Sequence, residues 1–444
     1  MTAKPDDVDV IVIGGGVSGL AAGRELARAK RSVILLEARP RLGGRIHTVR
    51  PPGWPLPVEL GAEFIHGGNP DLWRLVKHAH MRPRKLDARH WMNRAGSFRK
   101  IRAVDRKMAS VTDLIRPAKA RGLSFAEYFR RFPANVSAED WLLARGLVEG
   151  FEAATMEKIS ARSLAGEFLD DGDQFVVPGG YDQLVLDLAD DCAGGGVRMI
   201  RDMVARSVTW RRGRVRVHAR DSITNSARIF TARAAVITLP LGVLKARAGK
   251  GAVRFRPGLQ AKRKAITQMQ MGHVVRLNIR FTKGAWRRLL PRVLRPDRAA
   301  GCGFIHSEVK GVPVWWSHSD EPVMVGWAGG PAAEPLIGLE PAARLNRALA
   351  SLGEIFGVAP KSLRRGVADW QATEWTGDPF SRGAYSFTAA GQDSRGRELA
   401  RPLANTLFFA GEATAEGSEV GTVHGALRSG IRAGHQARRA LDRA

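Results

Sequence analysis

Hydrophobic positions change between strand-like and helix-like spacing from the start of the chain. A β-branched run, Asp9–Ile13, leads through a cluster of glycines into a helical pattern over Leu20–Lys30. A second β-rich run, Ser32–Leu36, follows and ends at Glu37. This order of strand, glycine turn, helix and strand predicts the first unit of a parallel α/β fold.

The middle of the chain has a different pattern. From Asn69 to Ala165, apolar residues recur at spacings of three and four, which predicts a mostly helical lobe. A loop at Pro178–Tyr181 then leads into a predicted helix over Leu184–Ala189. Two predicted strands follow, joined by an Arg-Arg-Gly turn: Val204–Trp210 and Arg214–Ala219.

The last part of the chain mixes both kinds of pattern. The predicted strands are Ala234–Pro240, Val274–Phe281, Val323–Trp327 and Leu407–Thr414, and the predicted helices are Pro341–Phe356 and a final helix from Thr422. The chain is therefore expected to form a region of sheet plus helices and then to return to its first unit.

Composition limits the class of protein. The chain has 444 residues, with 44% hydrophobic and 25% charged residues, which is typical of a soluble globular protein with more than one core. Cys192 and Cys302 are the two cysteines, so neither a disulfide framework nor a four-cysteine metal site is expected. No secretory signal and no membrane span are predicted, and a cytoplasmic location is the expectation.

The net charge of +27 raises the question of an anionic partner. The basic residues are scattered along the chain and lack the interleaved aromatic residues of an RNA-binding sheet. This pattern favours an arginine-rich solvated surface over a nucleic-acid site. A cationic substrate would still need a locally acidic entrance to overcome the positive field.

The glycine cluster carries a candidate nucleotide site. In Gly14-Gly15-Gly16-Val17-Ser18-Gly19, the first glycine permits a tight turn, Gly16 lets the backbone approach a pyrophosphate, and Gly19 allows close packing of helix on strand. The helix N-terminus supplies free N–H groups. Glu37 would accept hydrogen bonds from a ribose. The fingerprint predicts dinucleotide binding without separating NAD from FAD.

The next residues separate the two cofactors by resemblance. The segment Glu37–Arg45, EARPRLGGR, resembles the extended motif of the flavin amine oxidases. Three further blocks resemble the same family: Glu59–Gly67, Trp375–Ser386 and Phe408–Leu427. Within that family the chain is most similar to the polyamine and spermine oxidases and the histone lysine demethylase.

The resemblance implies the fold class and its division along the chain. The expected class is α/β, with a Rossmann-like FAD-binding domain interleaved with a mixed sheet-plus-helix substrate domain. Residues 1–75, 176–250 and 396–444 are expected to form the FAD-binding domain. Residues 76–175 and 251–395 are expected to form the substrate-binding domain, which includes the helical lobe.

The resemblance also implies a set of FAD contacts. These residues are Gly14, Gly16, Ser18, Gly19, Glu37, Ala38, Arg39, Gly44, Arg45, Gly61, Ala62, Glu63, Val204, Trp375, Gly411, Glu412, Thr422 and Val423. The guanidinium groups of Arg39 and Arg45 are suited to phosphate oxygens. Family members with covalent flavin carry a cysteine where this chain has Ala384, so the resemblance implies a dissociable FAD.

A second set of residues is expected at the substrate. Its members are Arg276, Tyr385, His66, Thr422, Trp375 and Glu152. By resemblance, Tyr385 forms one wall of an aromatic cage, and Thr422 stands where monoamine oxidases carry the second tyrosine. His66 is expected in the active-site wall, and Glu152 is a candidate for the negative charge that a cationic substrate needs. No metal is expected.

One position departs from the family pattern. The family places a lysine four residues after a glycine, where it is bonded through water to flavin N5, and this chain has Arg276 after Gly272. An arginine cannot deprotonate and presents a differently shaped cation. This difference questions fast reoxidation of the flavin by oxygen.

The resemblance implies an activity, and alternatives remain beside it. The expected reaction is hydride transfer from the carbon next to a small amine to flavin N5, hydrolysis of the imine to an aldehyde, and reduction of O2 to H2O2. The alternatives are an L-amino-acid oxidase, a flavin amine dehydrogenase that uses a non-oxygen acceptor, and a non-catalytic flavin-bound or nucleic-acid-associated protein. The particular substrate and the oligomeric state are left open.

Overall fold

The computed structural model describes residues 6–86, 89–102, 111–165, 173–290, 294, 301–317, 319 and 321–443. In the order of the chain, helices α1 to α13 are Val17–Arg28, Pro70–His78, Phe125–Arg131, Ala138–Gly146, Ala161–Leu164, Asp182–Gly194, Leu241–Lys245, Gln260–Gln268, Lys283–Leu289, Pro341–Phe356, Pro360–Gly366, Arg395–Ala400 and Val423–Asp442. A π-helix spans Leu147–Phe151, and 3-10 helices span Gly330–Ala332, Glu334–Leu336, Glu412–Thr414 and Gly417–Glu419.

The strands are likewise numbered in chain order. Strands β1 to β11 are Asp6–Ile13, Val33–Leu36, Thr48–Val49, Val58–Glu59, Phe64–His66, Arg84–Lys85, His90–Arg94, Ser97–Ile101, Gln174–Val176, Arg198–Ile200 and Met203–Arg211. Strands β12 to β22 are Arg214–Asp221, Ala227–Ile237, Arg254–Arg256, Gln270–Met271, Val274–Phe281, Gly303–His306, Val314–Ser317, Val323–Gly329, Val367–Glu374, Ser386–Phe387 and Leu407–Phe409.

The first large sheet has the order β10-β2-β1-β13-β12-β11-β14 in the described part of the chain, and β22 also pairs with β13. Strands β10, β2, β1, β13 and β22 run parallel, whereas β12 is antiparallel to both of its neighbours. The predicted strand–turn–helix–strand unit is confirmed. Helix α1 begins three residues earlier than predicted, because the glycine turn leads directly into it at Val17.

Helices α1, α6 and α13 cover one face of this sheet and share one hydrophobic core. The approach of α1 to the glycine turn is close: a Cβ atom on Gly19 would lie 1.9 Å from the carbonyl oxygen of Gly14. On the other side of α1, a Cβ on Gly430 of α13 would lie 2.2 Å from the carbonyl oxygen of Ser18. Glycine at both positions lets α1 sit between the turn and α13.

The second large sheet has the order β20-β16-β19-β18-β17-β7-β8 among the described residues. The predicted strand β16 and the predicted helix α10 are confirmed with the same bounds. Because side chains alternate across a strand, Val275, Leu277 and Ile279 face the core that includes α10. Arg276 is placed on the opposite face.

The prediction of a mostly helical lobe over Asn69–Ala165 was wrong in part. Strands β7 and β8 lie within it and form a hairpin whose two turn residues, Ala95 and Gly96, have positive φ angles of 49° and 79°. Positive φ angles at both turn residues are typical of the two-residue turns that join antiparallel strands. Strand β7 also pairs in parallel with β17, so the second sheet, rather than local helix propensity, decides the conformation here.

Among the described helices, none combines the length and the hydropathy that a membrane crossing requires. The domain boundaries given above stay predictions.

We expect Gly19→Ala to lower the free energy of unfolding by about 1–3 kcal/mol, because the added methyl group would overlap the Gly14 carbonyl oxygen. Gly23→Ala in the same helix is the matched control. Its Cβ would meet nothing closer than Cys192 Sγ at 3.5 Å, so stability should stay unchanged or rise by up to about 1 kcal/mol. Denaturant unfolding measures both variants, and equal stabilities would contradict the close packing at Gly19.

Candidate active site

A single continuous cavity of about 720 Å³ connects the glycine turn to the second large sheet. Gly14 and Glu37 line one end, and Arg276 and His306 line the other. Its volume falls in the range of cofactor and substrate pockets. With the exception of Gly19, every residue that the sequence analysis assigned to the cofactor or the substrate lines this cavity.

The end at the glycine turn is built from backbone donors. The N-cap of α1 is Gly16, which has no side chain to satisfy the first N–H groups of the helix, and Val17 and Ser18 line the cavity there. Such a helix end attracts a phosphate. The Glu37 carboxylate, 4% exposed, accepts hydrogen bonds from the N–H groups of Gly15 at 2.7 Å and Arg39 at 2.9 Å. These bonds hold it at the cavity wall.

The other predicted cofactor residues of this region take three different positions. Ala38, Gly44, Ala62 and Val204 line the cavity directly. Gly19 lies behind the turn and acts through packing. The Arg39 guanidinium lines the cavity but already donates to Asp378 at 2.6 Å and to Ser381 at 3.0 Å, two partners that the sequence analysis missed.

Gly411 and Gly61 show how closely backbone surrounds the cavity. Gly411 has a φ angle of +123°, and a Cβ atom there would meet no protein atom within 4 Å, so a side chain would enter the cavity. A Cβ on Gly61 would lie 1.8 Å from the carbonyl oxygen of Arg45 and 3.3 Å from Trp375. The open space at Gly411 and the free helix N-terminus at Gly16 together fit an extended dinucleotide such as FAD.

Arg45 and Glu412 form an ion pair at the middle of the cavity. Arg45 Nη1 donates to Glu412 Oε1 at 2.9 Å and to the carbonyl oxygen of Ala384 at 2.6 Å. The second carboxylate oxygen of Glu412 accepts from the N–H and the hydroxyl of Ser386. The pair therefore fixes the segment that carries Tyr385.

A second helix N-terminus reaches the cavity at α13. Thr422 is its N-cap: the hydroxyl accepts from the N–H of Gly425 at 3.0 Å and donates to the carbonyl oxygen of Glu419 at 2.7 Å. Val423, the first helical residue, also lines the cavity. Because its hydroxyl caps the helix, Thr422 contributes shape and the positive end of a helix dipole.

Arg276 is held rigidly at the far side of the cavity. Its side chain is 3% exposed, and Nη1 donates to Glu63 Oε2 at 2.8 Å. Nε and Nη2 both donate to Asn278 Oδ1, at 3.3 and 3.1 Å, and the guanidinium lies 5.6 Å from the ring centre of Trp316. Glu63, predicted as a cofactor contact, is thus the counter-ion of Arg276.

Tyr385 and His66 lie against the π-helix Leu147–Phe151, an element that the sequence analysis did not predict. The Tyr385 hydroxyl donates to the carbonyl oxygen of Phe151, and the His66 ring lies edge-on to the Phe151 ring at 5.4 Å. Burial, and secondarily the charge of Glu152, raises the pKa of Tyr385 well above its ordinary value. Burial, and secondarily His424, lowers the pKa of His66 to about 4. Both side chains are neutral at neutral pH.

Trp375 and Glu152 complete the predicted set. Trp375 is 7% exposed and shares a small hydrophobic cluster with Val274 and Ala384. Glu152 directly follows the π-helix and lines the cavity. Helices of this kind occur preferentially at functional sites. Here three of the five residues of the π-helix line the cavity: Leu147, Gly150 and Phe151.

Several lining residues were missed by the sequence analysis. They are Phe64, His90, Phe304, His306, Trp316 and Trp327, which belong to β5, β7, β17, β18 and β19. The alternation of Phe304 and His306 along one strand was the sequence signal that could have identified them. An alternating pattern gives one face of a strand but not the cavity that the face borders.

Comparisons with known proteins agree with this geometry. A family model described as flavin containing amine oxidoreductase matches residues 17–437. Polyamine oxidase 2 of Arabidopsis thaliana is 29% identical over 99% of this chain and 90% of its own length. Lysine-specific histone demethylase 1 homolog 2 of Oryza sativa subsp. japonica is 29% identical over 95% of this chain and 56% of its own length.

The fold has a match among solved structures. A putrescine oxidase bound to putrescine superposes with a TM-score of 0.75 at 20% sequence identity, covering 99% of each chain. The fold class predicted from the sequence is thereby confirmed.

We expect Arg276→Met to lower the free energy of unfolding by about 3–5 kcal/mol, because it leaves the Glu63 carboxylate buried without its counter-ion. The double variant Arg276→Met/Glu63→Gln should recover a large part of that loss. Thermal unfolding of wild type, both single variants and the double variant closes the cycle. If the stability losses of the two single variants simply add in the double variant, Arg276 and Glu63 do not stabilise each other.

Proposed function

The chain belongs to the flavin-containing amine oxidoreductases, and from that premise we propose that it oxidises a small amine at the carbon next to the nitrogen. One C–H bond of that carbon is lost as a hydride and one N–H proton is released, which leaves an imine. Water then hydrolyses the imine to an aldehyde and ammonia or a shorter amine. The family confirms FAD as the cofactor predicted from the sequence.

The observation that carries the proposal is the continuity of the cavity. The same space that the fingerprint residues Gly14 and Glu37 line extends to Tyr385, Trp375 and Trp327. A cofactor held at the first end and an amine held at the second would share one continuous volume. Proximity of this kind is what hydride transfer requires.

FAD, when bound, supplies the hydride acceptor. The first turn of α1 is proposed to bind the pyrophosphate and Glu37 the ribose. Arg45 and Glu412 are proposed to hold the ribityl chain of FAD, between its pyrophosphate and its ring system. The N-terminus of α13 is proposed to face the ring system. These contacts use backbone N–H groups and charges that are already fixed by protein partners.

The substrate end favours an uncharged amine. Tyr385 and His66 are neutral there, and Arg276 contributes a cation whose charge Glu63 balances. The rings of Trp327 and Phe151 and the carboxylate of Glu152 also line this end. Transfer of an ammonium ion from water into this partly buried, aromatic-lined end is unfavourable. The amine nitrogen would therefore keep the lone pair that stabilises the developing imine, without a side-chain base.

The alternative of an L-amino-acid oxidase requires an arginine for the substrate carboxylate. Three arginines line the described part of the cavity: Arg39, Arg45 and Arg276. Each already donates to protein acceptors, namely Asp378, Glu412 and Glu63. This arrangement supports an amine over an amino acid.

The second electron acceptor is proposed to be O2, reduced by two electrons and two protons to H2O2. A dehydrogenase that uses another acceptor is the second candidate, favoured by Arg276. Its three hydrogen bonds to Glu63 and Asn278 hold the guanidinium in place. A cytoplasmic site of action is also proposed, because Cys192 and Cys302 are both free thiols.

We expect the FAD to be released by acid precipitation, so that the supernatant turns yellow and the pellet is colourless. The physical reason is that neither Cys192 nor Cys302 lines the cavity and Ala384 lies beside Tyr385. An absorption spectrum of both fractions is the measurement. A yellow pellet that survives denaturant would contradict non-covalent binding.

We expect anaerobic mixing with amines to bleach the flavin absorbance, whereas L-amino acids leave it unchanged.

On admission of air, the flavin of Arg276→Lys should be reoxidised about tenfold faster than that of wild type, because lysine can release its proton. This difference is equivalent to ~1.4 kcal/mol in the barrier. Stopped-flow absorbance measures both half-reactions.

Arg280→Lys is the matched control, since Arg280 lies on the same strand but does not line the cavity. Its rates should equal those of wild type. Bleaching by amines with slow reoxidation in both wild type and Arg276→Lys would support the dehydrogenase. No bleaching by any amine would exclude the proposed reaction.

A further inference from the structure

Strands β11 to β14 form an outer layer of the first large sheet. Their inward side chains, such as Val217 and Phe230, share one hydrophobic core with Ile11 of β1 and Ile34 of β2. Along β12, exposed and buried positions alternate from Arg214 to Arg220. The outward side of this layer therefore faces solvent.

Arginine dominates the outward positions. On β14, β11 and β12, Arg256, Thr209 and Arg216 are direct neighbours. In the next row along the strands, Arg254 and His218 lie on either side of β11. We call the exposed arginines of these three strands the arginine face: Arg206, Arg214, Arg216, Arg220, Arg254 and Arg256. Positive charge is thus concentrated on one open surface of the fold.

Carboxylates are scarce around the arginine face. From residue 222 to residue 296, the sequence holds neither aspartate nor glutamate. At the edges of the layer, Asp221 accepts from the N–H groups of Ile223 and Thr224, both at 2.9 Å, and Asp7 accepts from the Thr231 hydroxyl at 2.9 Å. Among the described residues, no ion pair includes a member of the arginine face.

Exposed arginines elsewhere on the protein are paired. Arg50 forms an ion pair with Asp182 at 2.7 Å, and Arg145 forms one with Glu149 at 3.0 Å. The unpaired charge of the arginine face is therefore a local feature and does not follow from the arginine-rich composition alone. It leaves guanidinium groups available to an external anion, and phosphate suits their planar geometry.

Two exposed isoleucines adjoin the arginines. Ile229 of β13 is the direct partner of His218, so it lies on the same side of the layer, and it is 41% exposed. Ile223, in the loop between β12 and β13, is 77% exposed. The bonds of Asp221 and a bond from Arg220 to Asn225 Oδ1 at 2.7 Å hold that loop. An apolar side chain is thereby fixed in water, where burial against an apolar partner would be favourable.

The shape of the layer does not suit a nucleic acid. Three strand spacings from β14 to β13 give a width of roughly 14 Å, whereas the major groove of DNA, about 12 Å wide, admits one helix or a two-stranded ribbon. The rings of Trp210, Phe230 and Phe255 on these strands pack into the core beneath, so they are not presented for stacking on bases.

We propose that the arginine face, together with Ile223 and Ile229, docks on the surface of a bilayer that contains anionic phospholipids. The guanidinium groups bind headgroup phosphates, and the isoleucines enter the boundary between headgroups and acyl chains. A surface contact of this kind needs no membrane-crossing helix. Neither the amine oxidation nor its substrate enters this inference.

The test uses the full-length, flavin-loaded protein and sedimentation with lipid vesicles. At about 0.1 M salt, the protein should bind vesicles that contain phosphatidylglycerol and stay in the supernatant with pure phosphatidylcholine. Binding should weaken about tenfold at about 0.5 M salt, because salt screens exposed charges. Equal binding to both kinds of vesicle, or binding to neither, would overturn the proposal.

Two charge-matched variants separate the arginine face from the net charge of +27. Arg206→Gln/Arg216→Gln/Arg254→Gln should bind about a hundredfold more weakly, since each basic residue at an anionic surface contributes about fivefold. The control, Arg347→Gln/Lys361→Gln/Arg364→Gln, removes the same charge from exposed positions of α10 and α11, which pack on the second sheet. It should change binding by less than about twofold. An equal loss in both variants would mean that total charge, and not this face, drives the binding.

A second pair of variants tests the apolar contact. Ile223→Ser should lower binding to the anionic vesicles about tenfold, because the apolar area that enters the bilayer is lost. Leu186→Ser is the matched control: Leu186 is 57% exposed on α6, which packs on the other side of β1 and β2 from this layer. It should bind as wild type. Unchanged binding by Ile223→Ser would rule out a bilayer as the partner.

A short DNA duplex serves as the competing polyanion. Added at the same phosphate concentration as the anionic lipid, it should displace only a minor part of the protein from the vesicles. Complete displacement would assign the arginine face to nucleic acid and contradict the proposal. Thermal unfolding and FAD content of each variant are measured alongside, so that a loss of binding is separated from a loss of fold.

Discussion

The buried charge of Arg276 is the constraint on which the site depends. A guanidinium that is 3% exposed requires a counter-ion and further acceptors, and Glu63 and Asn278 supply them. Asn278 in turn donates to the carbonyl oxygen of Glu59. The segment from Glu59 to Glu63, next to the nucleotide end, is thereby tied to the strand that forms the floor of the substrate end. The ion pair and the Asn278 hydrogen bond therefore link the two ends of the cavity.

The two ends of the cavity are built in different ways. At the nucleotide end, helix N-termini and glycines present backbone N–H groups, so the chemistry follows from the fold itself. At the end proposed for the substrate, side chains from a π-helix and from strands β5, β7, β16, β17, β18 and β19 provide the surface. Under the proposed function, a change of one side chain there would alter recognition without disturbing the backbone proposed to hold the cofactor.

The arginines and histidines that line the described cavity add little net positive charge, although the chain carries a net charge of +27. The arginines that line the described cavity are paired with carboxylates, and the histidines there are uncharged because they are buried. The excess positive charge therefore lies on the solvated surface. A site whose cations are balanced suits the oxidation of an amine, which needs its nitrogen lone pair free.

The sequence by itself determined the features that depend on neighbouring residues. The unit from Gly14 to Glu37 is recognisable because turn, helix start and ribose acceptor follow one another, and α10 has its predicted bounds because Pro341 begins it and Gly357, with a φ angle of 65°, ends it. Tertiary structure alone decided the β7–β8 hairpin, the π-helix, the pairing of Arg276 with Glu63, 213 residues away, and that of His90 with His306, 216 residues away. The physical reason is that such bonds form only after strand order has brought distant residues onto one face, and a local pattern carries no record of that order.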